Sequence, residues 1–382
     1  MSLVFINYPL ETFTPAQSGA LATIIWECCR VSRKWGTTPF VITRSSAVQT
    51  FEWADMATVA YPKLPAGRIG NFIARAGRKL GGWQHLRQGA YARRVVRVIR
   101  ERRLDERPLV VLNDPEMAVF LRSRFPGAFI AHWFQNQQEC KPWARARFGV
   151  SVNGTAAVSQ FTAAWVENYY GITRGSVRVV HNAVDAAIFQ RPREKPVGPP
   201  VINFVGRTGM EKGPDVLLKA ALRLARNGLV FRLQLLGSNH WDRFELDDYQ
   251  CELASLTDAL VRAGIEVRRP GHIPRADLPR ELSRAHIHVV PARWDEPFGM
   301  TTIEGMACGL ATVASATGGT PEVAGDAALF FERESVEELA SHLARLIREP
   351  ELRAEYADRG RRRAEQFTWE RTWSGLCELV AH

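Results

Sequence analysis

Residues 287–309 read IHVVPARWDEPFGMTTIEGMACG and form the clearest structural pattern of the chain. The apolar run Ile287–Val290 predicts a buried strand, Pro291–Gly299 predicts a loop, and Thr301–Cys308 predicts a helix that ends at Gly309. A buried strand that passes through a loop into a helix is the repeating unit of parallel α/β sheets. Such sheets bind ligands beyond the carboxyl ends of their strands, so we expect this loop to carry function.

Similar short apolar runs alternate with amphipathic stretches along the rest of the chain, which predicts strands alternating with helices. The runs form two series, so we expect two α/β domains, each with a parallel sheet. The first series comprises Leu3–Asn7, Phe40–Thr43, Leu109–Leu112, Phe129–His132, Ala156–Val158 and Val177–Val180. The second comprises Val201–Val205, Phe231–Leu236, Ile287–Val290 and Thr312–Ala314.

Residues 189–200, between the two series, are rich in proline, which disfavours both continuous helix and central strand. We therefore expect a Rossmann-like domain over residues 1–188, a linker over 189–200 and a second Rossmann-like domain over 201–367. The tail is helical from Ser335, and residues 368–382 predict a separate helix that returns toward the first domain. Two doubly wound sheets that face each other would form an interdomain cleft and place the chemistry there.

Composition limits the partners and the compartment. The 382 residues carry a net charge of +10, which favours anionic partners such as nucleotides, phosphorylated glycans, anionic lipid or nucleic acid. The six cysteines include no C-x-x-C pair, and the start MSLVFINYPL lacks the pattern of a secretory signal. No apolar run approaches the roughly 18 to 20 residues that span a bilayer. We expect a cytoplasmic protein, with any membrane role peripheral and at the inner face.

Two carboxylates, Glu296 and Glu304, bracket the turn from the loop into the helix. Gly299 lets the backbone approach a ligand closely, and the amides near Met300 and Thr301 lie at a helix N-terminus, where an anion is favoured. A sugar diphosphate suits this arrangement. Its phosphate would lie at the amides, its sugar hydroxyls at Glu296 and its ribose at Glu304.

The same stretch resembles a known signature. Residues 296–304, EPFGMTTIE, resemble the E-x7-E signature of the family-4 glycosyltransferases. The resemblance covers nearly the whole chain and implies a retaining glycosyltransferase of the GT-B fold, with two Rossmann-like domains facing a cleft. Further segments similar to that family are Gly305–Gly309, Gly318–Glu322, Phe204–Arg207, Glu211–Asp215, Ala157–Phe161 and His181–Asp185.

Position by position, the resemblance implies roles for four side chains. Arg207 and Lys212 would hold the diphosphate of a nucleotide-sugar donor, Glu304 the ribose hydroxyls, and Glu296 the transferred sugar. The residue types agree with these roles. Arg can bind phosphate oxygens through two parallel hydrogen bonds, and Lys adds a mobile positive charge. Together they would stabilise the nucleoside diphosphate as it leaves.

The resemblance also implies the remaining donor contacts. Gly271–Pro274, which includes Ile273, would wrap the base, and the backbone of Phe298, Gly299 and Met300 would reach sugar hydroxyls. The family fold needs no metal or other cofactor, and the sequence contains no D-x-D motif. The two cationic side chains and the helix amides would supply the positive charge instead.

The family retains the configuration of the anomeric carbon by front-face attack, in which the leaving phosphate helps to deprotonate the acceptor. Glu296 is then a positioning and charge-stabilising group rather than a covalent nucleophile. We expect transfer of a hexose or hexosamine from a UDP-sugar, or next from a GDP-sugar. The expected acceptor is a hydroxyl of a cell-surface glycan or of a lipid-linked molecule.

In the first domain, Gly19 lies in the loop where relatives commonly carry two glycines near the donor phosphate or the acceptor. The strand that ends in residues 131–136 lies where relatives place a His or Asp facing the acceptor. His132 suits acceptor orientation or proton transfer, because the reference pKa of histidine is close to neutral. An alternative alignment places Gln135 at this position, and the sequence leaves both open.

The segment Lys63–Arg103 is strongly basic, with Glu101 as its only acid, and apolar residues such as Tyr91, Val95 and Ile99 recur at helical spacing. A basic amphipathic helix can lie on an anionic membrane, with about 1 kcal/mol from each Lys or Arg. Lipid-linked acceptors would be reached there. The same pattern also fits a solvated basic face whose apolar side packs on the domain core.

Other functions fit some of these features. A nucleotide-sugar epimerase or a phosphorylase would share the fold and the cleft and would differ in its product. A nucleic-acid-binding protein fits the charge, but the sequence lacks a helix-turn-helix signature, zinc-ligand spacing and an aromatic RNA-binding motif, so we expect no nucleic-acid partner. A NAD-dependent dehydrogenase is disfavoured, because no G-x-G-x-x-G turn follows the first strand.

Overall fold

The computed structural model describes residues 2–15, 19–53, 55–62, 83–192, 196–239 and 247–381, with side chains from residue 88 onward in the helix that begins at Trp83. The chain divides into two compact units. Unit 1 contains Met1–Val158, Thr162–Val180 and Glu370–His382. Unit 2 contains Ser159–Phe161 and His181–Trp369.

Unit 1 is built on a seven-stranded sheet. Its strands are β1 (Val4–Ile6), β2 (Phe40–Arg44), β3 (Met56–Val59), β4 (Leu109–Leu112), β5 (Ile130–Phe134), β6 (Gly154–Ala157) and β7 (Arg178–Val179). They pair in parallel in the order β3-β2-β1-β4-β5-β6-β7. The described helices are Ala20–Ser32, Trp83–Glu101, Pro115–Arg124, Pro142–Ser151, Gln160–Tyr170 and Trp369–Ala381, with 3-10 turns at Arg33–Trp35 and Leu104–Glu106.

The terminal helix, Trp369–Ala381, packs on the sheet of unit 1. Trp373 is only 1% exposed, and its ring centroid lies 6.5 Å from that of Phe5 on β1. Leu379 contacts β6, where a Cβ at Gly154 would lie 3.0 Å from the leucine side chain. The end of the chain therefore belongs to the core of unit 1.

Unit 2 is built on a six-stranded sheet. Its strands are β8 (Val201–Val205), β9 (Arg232–Leu236), β10 (Glu266–Gly271), β11 (Ile287–Val290), β12 (Ala311–Ser315) and β13 (Ala328–Phe331). They pair in parallel in the order β10-β9-β8-β11-β12-β13. The described helices are Pro214–Arg226, Asp248–Arg262, Leu278–Ser283, Met300–Ala307, Thr320–Ala324, Val336–Arg348 and Pro350–Ala364, with 3-10 turns at Met210–Lys212 and Gly325–Ala327.

In both sheets the strand order reverses beside the first strand, between β1 and β4 in unit 1 and between β8 and β11 in unit 2. The connections that leave these two neighbouring strands run in opposite directions, which opens a crevice beyond their carboxyl ends. In unit 2 the loop after β11 is the one that the sequence singles out, residues 291–299. The fold therefore places that loop beside the loop that follows β8.

The two parallel sheets confirm the predicted fold class of two Rossmann-like domains, while the cleft between them stays a prediction. Sequence analysis missed three strands, β3, β10 and β13, and all three lie at sheet edges. Edge strands need no continuous apolar run, and β10 reads EVRRPG, with two Arg and a Pro. Strand β13 is apolar but has only four residues and directly follows a 3-10 turn.

The boundaries of the units differ from the predicted ones. Residues 181–188, assigned by the sequence to the first domain, belong to unit 2, as does Ser159. The N–H of Val184 donates to the carbonyl of Phe367 at 3.2 Å, and the hydroxyl of Ser159 donates to the carbonyl of Pro297 at 2.6 Å. These bonds hold the segments in unit 2. The described parts of the predicted linker, 189–192 and 196–200, form neither helix nor strand.

We expect Trp373→Ala to lower the free energy of unfolding of unit 1 by about 3 to 5 kcal/mol, because it empties a fully buried aromatic site. Trp35→Ala is the matched control, since Trp35 is 55% exposed and its loss should cost less than about 0.5 kcal/mol. Urea unfolding followed by near-UV circular dichroism measures both. Equal effects of the two substitutions would contradict the packing of the terminal helix.

Candidate functional site

The loops that follow β8 and β11 meet through an ion pair. The ammonium group of Lys212 donates to Oε2 of Glu296 at 2.7 Å, and the two side chains are only 21% and 15% exposed. The indole N–H of Trp294 donates to the same Oε2 at 2.9 Å. The Lys212 ammonium also lies 4.7 Å from the centroid of the Trp294 ring, within the range of a cation–π contact. An ammonium, a carboxylate and an indole thus form one cluster where the strand order reverses.

Arg293 clamps these two loops together. Its backbone N–H donates to the carbonyl of Glu211 at 2.9 Å, and its guanidinium binds Asp215 through two parallel bonds of 2.8 and 2.7 Å. Burial would raise the pKa of Asp215, but the hydrogen bonds that this carboxylate accepts outweigh burial and hold the pKa below its ordinary value. Asp215 therefore stays charged, and the clamp keeps the spacing between the loops fixed.

Gly318 and Gly319 close the Glu296 loop from its other side. The N–H of Gly319 donates to the carbonyl of Glu296 at 2.7 Å. Gly318 has a φ of +57°, and a Cβ at this position would lie 2.3 Å from the carbonyl oxygen of Glu296. Only glycine permits this approach. The glycine pair after β12 therefore shapes the backbone of the loop that carries Glu296.

Glu304 lies on the helix Met300–Ala307 and is almost fully buried, with 2% of its side chain exposed. Its Oε1 forms an ion pair with Arg275 at 2.8 Å. Arg275 comes from the loop after β10, is 35% exposed, and stacks over Phe189 with 5.5 Å from its Cζ to the ring centroid. A buried carboxylate needs such a partner, because an unpaired buried charge is costly. A ligand that reaches Glu304 must share it with Arg275 or displace that side chain.

A cavity of about 180 Å³ opens beyond the carboxyl ends of β8, β9 and β10. Residues that line it include Gly206, Arg207, Gly237, His272 and Ile273. Gly237 has a φ of +134°, and a Cβ there would lie 1.9 Å from the carbonyl oxygen of Gly206, so the two loops touch through backbone. Complete ligand pockets measure roughly 300 Å³ or more, so this cavity would hold only part of a nucleotide.

Arg207 follows β8 but stands apart from the ion pair of Lys212. Its guanidinium is 63% exposed and pairs with Glu211 at 3.1 Å. An exposed ion pair contributes at most about 1 kcal/mol, so this contact holds Arg207 weakly. The structure thus places Arg207 at the cavity with its guanidinium free to change partner.

The helix after the loop begins where the sequence predicts an anion site, and the anion site itself stays a prediction. Gly299 caps the helix with a φ of +89°, and the helix begins at Met300, with Thr301 in its first turn. The side chain of Phe298 is 2% exposed, and its ring centroid lies 5.6 Å from that of Phe367. Phe298 can therefore offer a ligand only its backbone, which is the contact that the resemblance implied.

The structure buries His132, one of the two residues predicted to face the acceptor. This side chain is fully buried on β5, with its ring centroid 4.0 Å from that of Phe134 and 5.3 Å from that of Phe148. Neither ring nitrogen has a hydrogen-bond partner among the described residues. Burial lowers the pKa of His132 to about 3, so the ring is neutral and lies among apolar side chains. His132 is therefore a core residue of unit 1 in this structure, and its role toward an acceptor stays a prediction.

Gln135 is the alternative, and it lies beyond the end of β5, at the edge of the sheet where ligands bind. Its backbone N–H donates to Oδ1 of Asn113, a residue that follows β4, at 2.7 Å. This bond ties together the loops after two neighbouring strands. The position of Gln135 therefore suits the acceptor side better than that of His132.

Gly19 precedes the helix Ala20–Ser32 and lies against the carboxylate of Glu11. A Cβ at Gly19 would lie 1.9 Å from Oε1 of Glu11, and the N–H of Ala22 donates to the same oxygen at 3.4 Å. Burial raises the pKa of Glu11 to about 7. A carboxylate of the protein therefore occupies the helix N-terminus where the sequence suggested an external phosphate or acceptor.

Residues 63–82 of the basic segment Lys63–Arg103 lie outside the described residues. In the described part, the apolar face of the helix is not free. Tyr91, Val95 and Ile99 are fully buried in the core of unit 1. These three residues are therefore core residues and cannot contact a membrane.

Sequence analysis proposed Lys212, Glu296 and Glu304 as site residues and did not propose Trp294 or Arg275, which contact them in the structure. Trp294 stands only two residues before Glu296, and this closeness in the sequence was the available signal. Arg275 gave no signal. It lies 29 positions before Glu304, and only the fold shows that the two residues meet.

The described residues contain no group of three or more His, Cys, Asp or Glu side chains that could hold a metal ion. Within the same ranges, no helix combines the length and the apolar character needed to cross a membrane.

Comparison with protein families finds a match for most of unit 2. Residues 185–363 match the model of the family described as "Glycosyl transferases group 1". The matched residues include Arg207, Lys212, Glu296 and Glu304. Residues 185–363 are therefore similar to the group 1 glycosyl transferases, and the side chains of Lys212, Trp294, Glu296 and Glu304 lie within the matched region.

Curated relatives resemble part of the chain. The D-inositol 3-phosphate glycosyltransferase of Thermobifida fusca is 32% identical over 232 residues, which are 56% of this chain and 51% of that protein. The spore coat protein SA of Bacillus subtilis is 25% identical over 318 residues, 77% of this chain and 83% of that protein. The chain thus spans about half the length of the first D-inositol 3-phosphate glycosyltransferases that it matches.

Solved structures share the whole fold. The sucrose-phosphate synthase of Thermosynechococcus elongatus superposes with a TM-score of 0.78 at 17% identity, covering 100% of this chain and 98% of that one. HepE of Anabaena, solved in complex with UDP and glucose, superposes with a TM-score of 0.70 at 16% identity, covering 100% and 99%. With the two parallel sheets, these likenesses establish the GT-B fold.

We expect His132→Leu to flatten the acid dependence of the stability of unit 1. In the folded protein the pKa of His132 is lowered to about 3, whereas the unfolded chain takes up the proton near pH 6.5. The stability that the neutral ring contributes is therefore complete above about pH 6.5 and is lost as the pH falls toward 3. Melting temperatures between pH 7.5 and 4.5 should fall less in the variant than in the wild type. Identical pH profiles would contradict the burial of a neutral His132.

Proposed function

We propose that this chain is a retaining glycosyltransferase of the family-4 type, without need of a metal or other cofactor. It would move a hexose or hexosamine from a nucleotide-diphosphate sugar to a hydroxyl of a cell-surface glycan or lipid-linked acceptor. The cluster of Lys212, Glu296 and Trp294 carries this proposal. It offers a mobile cation and a carboxylate side by side, at the crevice where parallel sheets bind nucleotides.

The two cations would act on the diphosphate. Lys212 would exchange the carboxylate of Glu296 for a phosphate oxygen, and Arg207 would leave its weak surface contact with Glu211. Both charges are then closest to the donor when the bond to the sugar breaks and negative charge develops on the phosphate. Stabilisation at that stage accelerates the reaction, because it is greater in the transition state than in the bound donor.

Glu304 and the cavity would hold the nucleoside. A carboxylate accepts hydrogen bonds from both hydroxyls of a ribose, and Glu304 is fixed for this task on a helix and by Arg275. The cavity beyond β8 to β10, with Ile273 in its wall, would receive the base. Its small volume suits a base rather than the whole donor.

Glu296 would position the sugar. The bond between the anomeric carbon and the phosphate oxygen breaks, and a bond forms from that carbon to the acceptor oxygen on the same face. The acceptor proton passes to the leaving phosphate, so the reaction needs no base from the protein to remove that proton. Glu296 would hold sugar hydroxyls and stabilise positive charge near the anomeric carbon, without forming a covalent bond.

The choice of donor and acceptor rests on the family resemblance and on structural likeness. A UDP-sugar is favoured and a GDP-sugar comes next, supported by the structural likeness to HepE, which was solved with UDP and with UDP-glucose. Gln135 would lie on the acceptor side in unit 1, and Gly19 would lie near the donor phosphate. We also propose that the enzyme is cytoplasmic and contacts the inner face of an anionic membrane peripherally. This contact would use the basic segment Lys63–Arg103, apart from the buried residues Tyr91, Val95 and Ile99.

We expect one nucleoside diphosphate, UDP before GDP, to raise the melting temperature of the wild type in a panel of UDP, GDP, ADP and dTDP with their sugars. Saturation at 100 times Kd should stabilise the protein by about 2.7 kcal/mol. Glu304→Ala and Arg207→Ala should lose most of this shift. Arg223→Ala is the matched control and should keep it, because Arg223 only pairs with Glu337 at the surface.

The absence of any shift in the wild type at millimolar ligand would contradict the proposed donor site. Products then separate the enzymes that would share it. A transferase forms a glycosylated acceptor, an epimerase a new sugar nucleotide, and a phosphorylase a sugar phosphate. Either of the last two products would replace the proposed function.

We expect full activity in the presence of EDTA, because Arg207, Lys212 and the amides at the start of the helix Met300–Ala307 would supply the positive charge that a metal provides elsewhere. Release of nucleoside diphosphate, with and without chelator, measures this. Loss of activity with EDTA that Mn²⁺ restores would show that the enzyme depends on a metal.

A further inference from the structure

Trp294 contacts both charged groups on which the proposed transfer depends. Its indole N–H donates to Oε2 of Glu296 at 2.9 Å, and the ammonium of Lys212 lies 4.7 Å from its ring centroid. We propose that Trp294 is a positioning residue, which orients Glu296 toward the donor sugar and keeps Lys212 beside the diphosphate. This inference rests on the proposed function, and nothing in the sequence signature assigns a role to this tryptophan.

The ion pair of Lys212 and Glu296 must loosen during the reaction. Without donor, the two groups neutralise each other at 2.7 Å. The proposed transfer needs Lys212 on the phosphate and Glu296 on the sugar. A partly buried carboxylate that loses its cationic partner is costly unless another donor still binds it. The indole N–H is that donor, since Oε2 of Glu296 accepts from Trp294 and from Lys212 at the same time.

The face of the indole serves Lys212 in the same exchange. An ammonium over an aromatic ring is attracted by the negative face of the ring, and tryptophan attracts it most. Lys212 can therefore leave the carboxylate and still be held near it by the ring. A flexible lysine that is held in this way loses less freedom when it binds phosphate.

The backbone of Trp294 is fixed well enough for this role. Its N–H approaches the carbonyl of Glu211 at 3.4 Å, beside the stronger bond from Arg293, which also clamps Asp215. Glu211 lies in the same 3-10 turn as Lys212. Trp294 is thus attached to the turn that carries the cation, and it lies two positions from the carboxylate.

The residue between the two partners supports this geometry. Asp295 forms its ion pair with Arg333, which lies two residues beyond the end of β13, and not with Lys212. Trp294 contacts Glu296, while Asp295 contacts Arg333. The cluster therefore contains one carboxylate, and Trp294 has no competing acceptor at Asp295.

Two substitutions separate the N–H from the ring. Trp294→Phe keeps an aromatic face and removes the N–H, and Trp294→Leu removes both. Trp143→Phe is the matched control, because Trp143 is 46% exposed in unit 1. The measurement is steady-state release of nucleoside diphosphate from UDP-glucose, or from the sugar nucleotide that the binding panel selects, together with the Kd for the free nucleoside diphosphate and the melting temperature.

We expect Trp294→Phe to lower kcat by about tenfold or more, with the donor KM within about twofold of the wild type, because a hydrogen bond to a charged group is lost while the ring remains. Trp294→Leu should lower kcat as much and also raise KM and Kd by about threefold to fivefold, because Lys212 loses the ring face. Trp143→Phe should behave as the wild type.

Three results would overturn the inference. They are an unchanged kcat in Trp294→Phe, equal effects of both substitutions on kcat and KM, or losses that follow the melting temperature alone. The last two would make Trp294 a packing residue. A wild type that binds no nucleoside diphosphate and releases none from any sugar nucleotide in the panel would reject the proposed function itself, and the role of Trp294 with it.

Discussion

The ion pair between Lys212 and Glu296 is the contact on which the site in unit 2 depends. It joins the loop after β8 to the loop after β11, the neighbouring strands between which the strand order reverses. Arg293 fixes these loops from one side, and Gly318 fixes the Glu296 backbone from the other. Charges that are 21% and 15% exposed are costly to desolvate, and replacing such a pair by apolar side chains is often neutral. Its presence at a binding crevice favours a ligand that takes over one of the partners.

Sequence patterns predict the central strands of both sheets but miss three of the four edge strands, for one physical reason. A central strand of a parallel sheet is covered on both faces, so it reads as a continuous apolar run, as Ile287–Val290 does. The edge strand Glu266–Gly271 is mostly exposed and contains charges and proline, so no such run exists. The unit boundary also escaped prediction, because the bonds of Ser159 and Val184 to residues far along the chain decide it.

Contacts between residues that are distant in the sequence also decide which site residues could be predicted. Lys212 and Glu296 stand 84 positions apart, and only resemblance to a family signature brought them together in advance. That signature cannot report side chains such as Trp294, whose role depends on which neighbours the fold supplies. The residue type of His132 suggested chemistry, while its place inside a strand buries it. Gln135 lies just past the end of that strand, where an open α/β sheet binds ligands.

The most direct test of the donor site is a crystal structure of the chain with an intact sugar nucleotide. We predict a phosphate oxygen within hydrogen-bond distance of Lys212 Nζ, ribose hydroxyls at Glu304, and the sugar at Glu296, with the Lys212–Glu296 pair opened beyond its present 2.7 Å. The indole of Trp294 should remain on Glu296. A nucleotide bound elsewhere in the molecule, with that ion pair intact, would contradict the donor site proposed for unit 2.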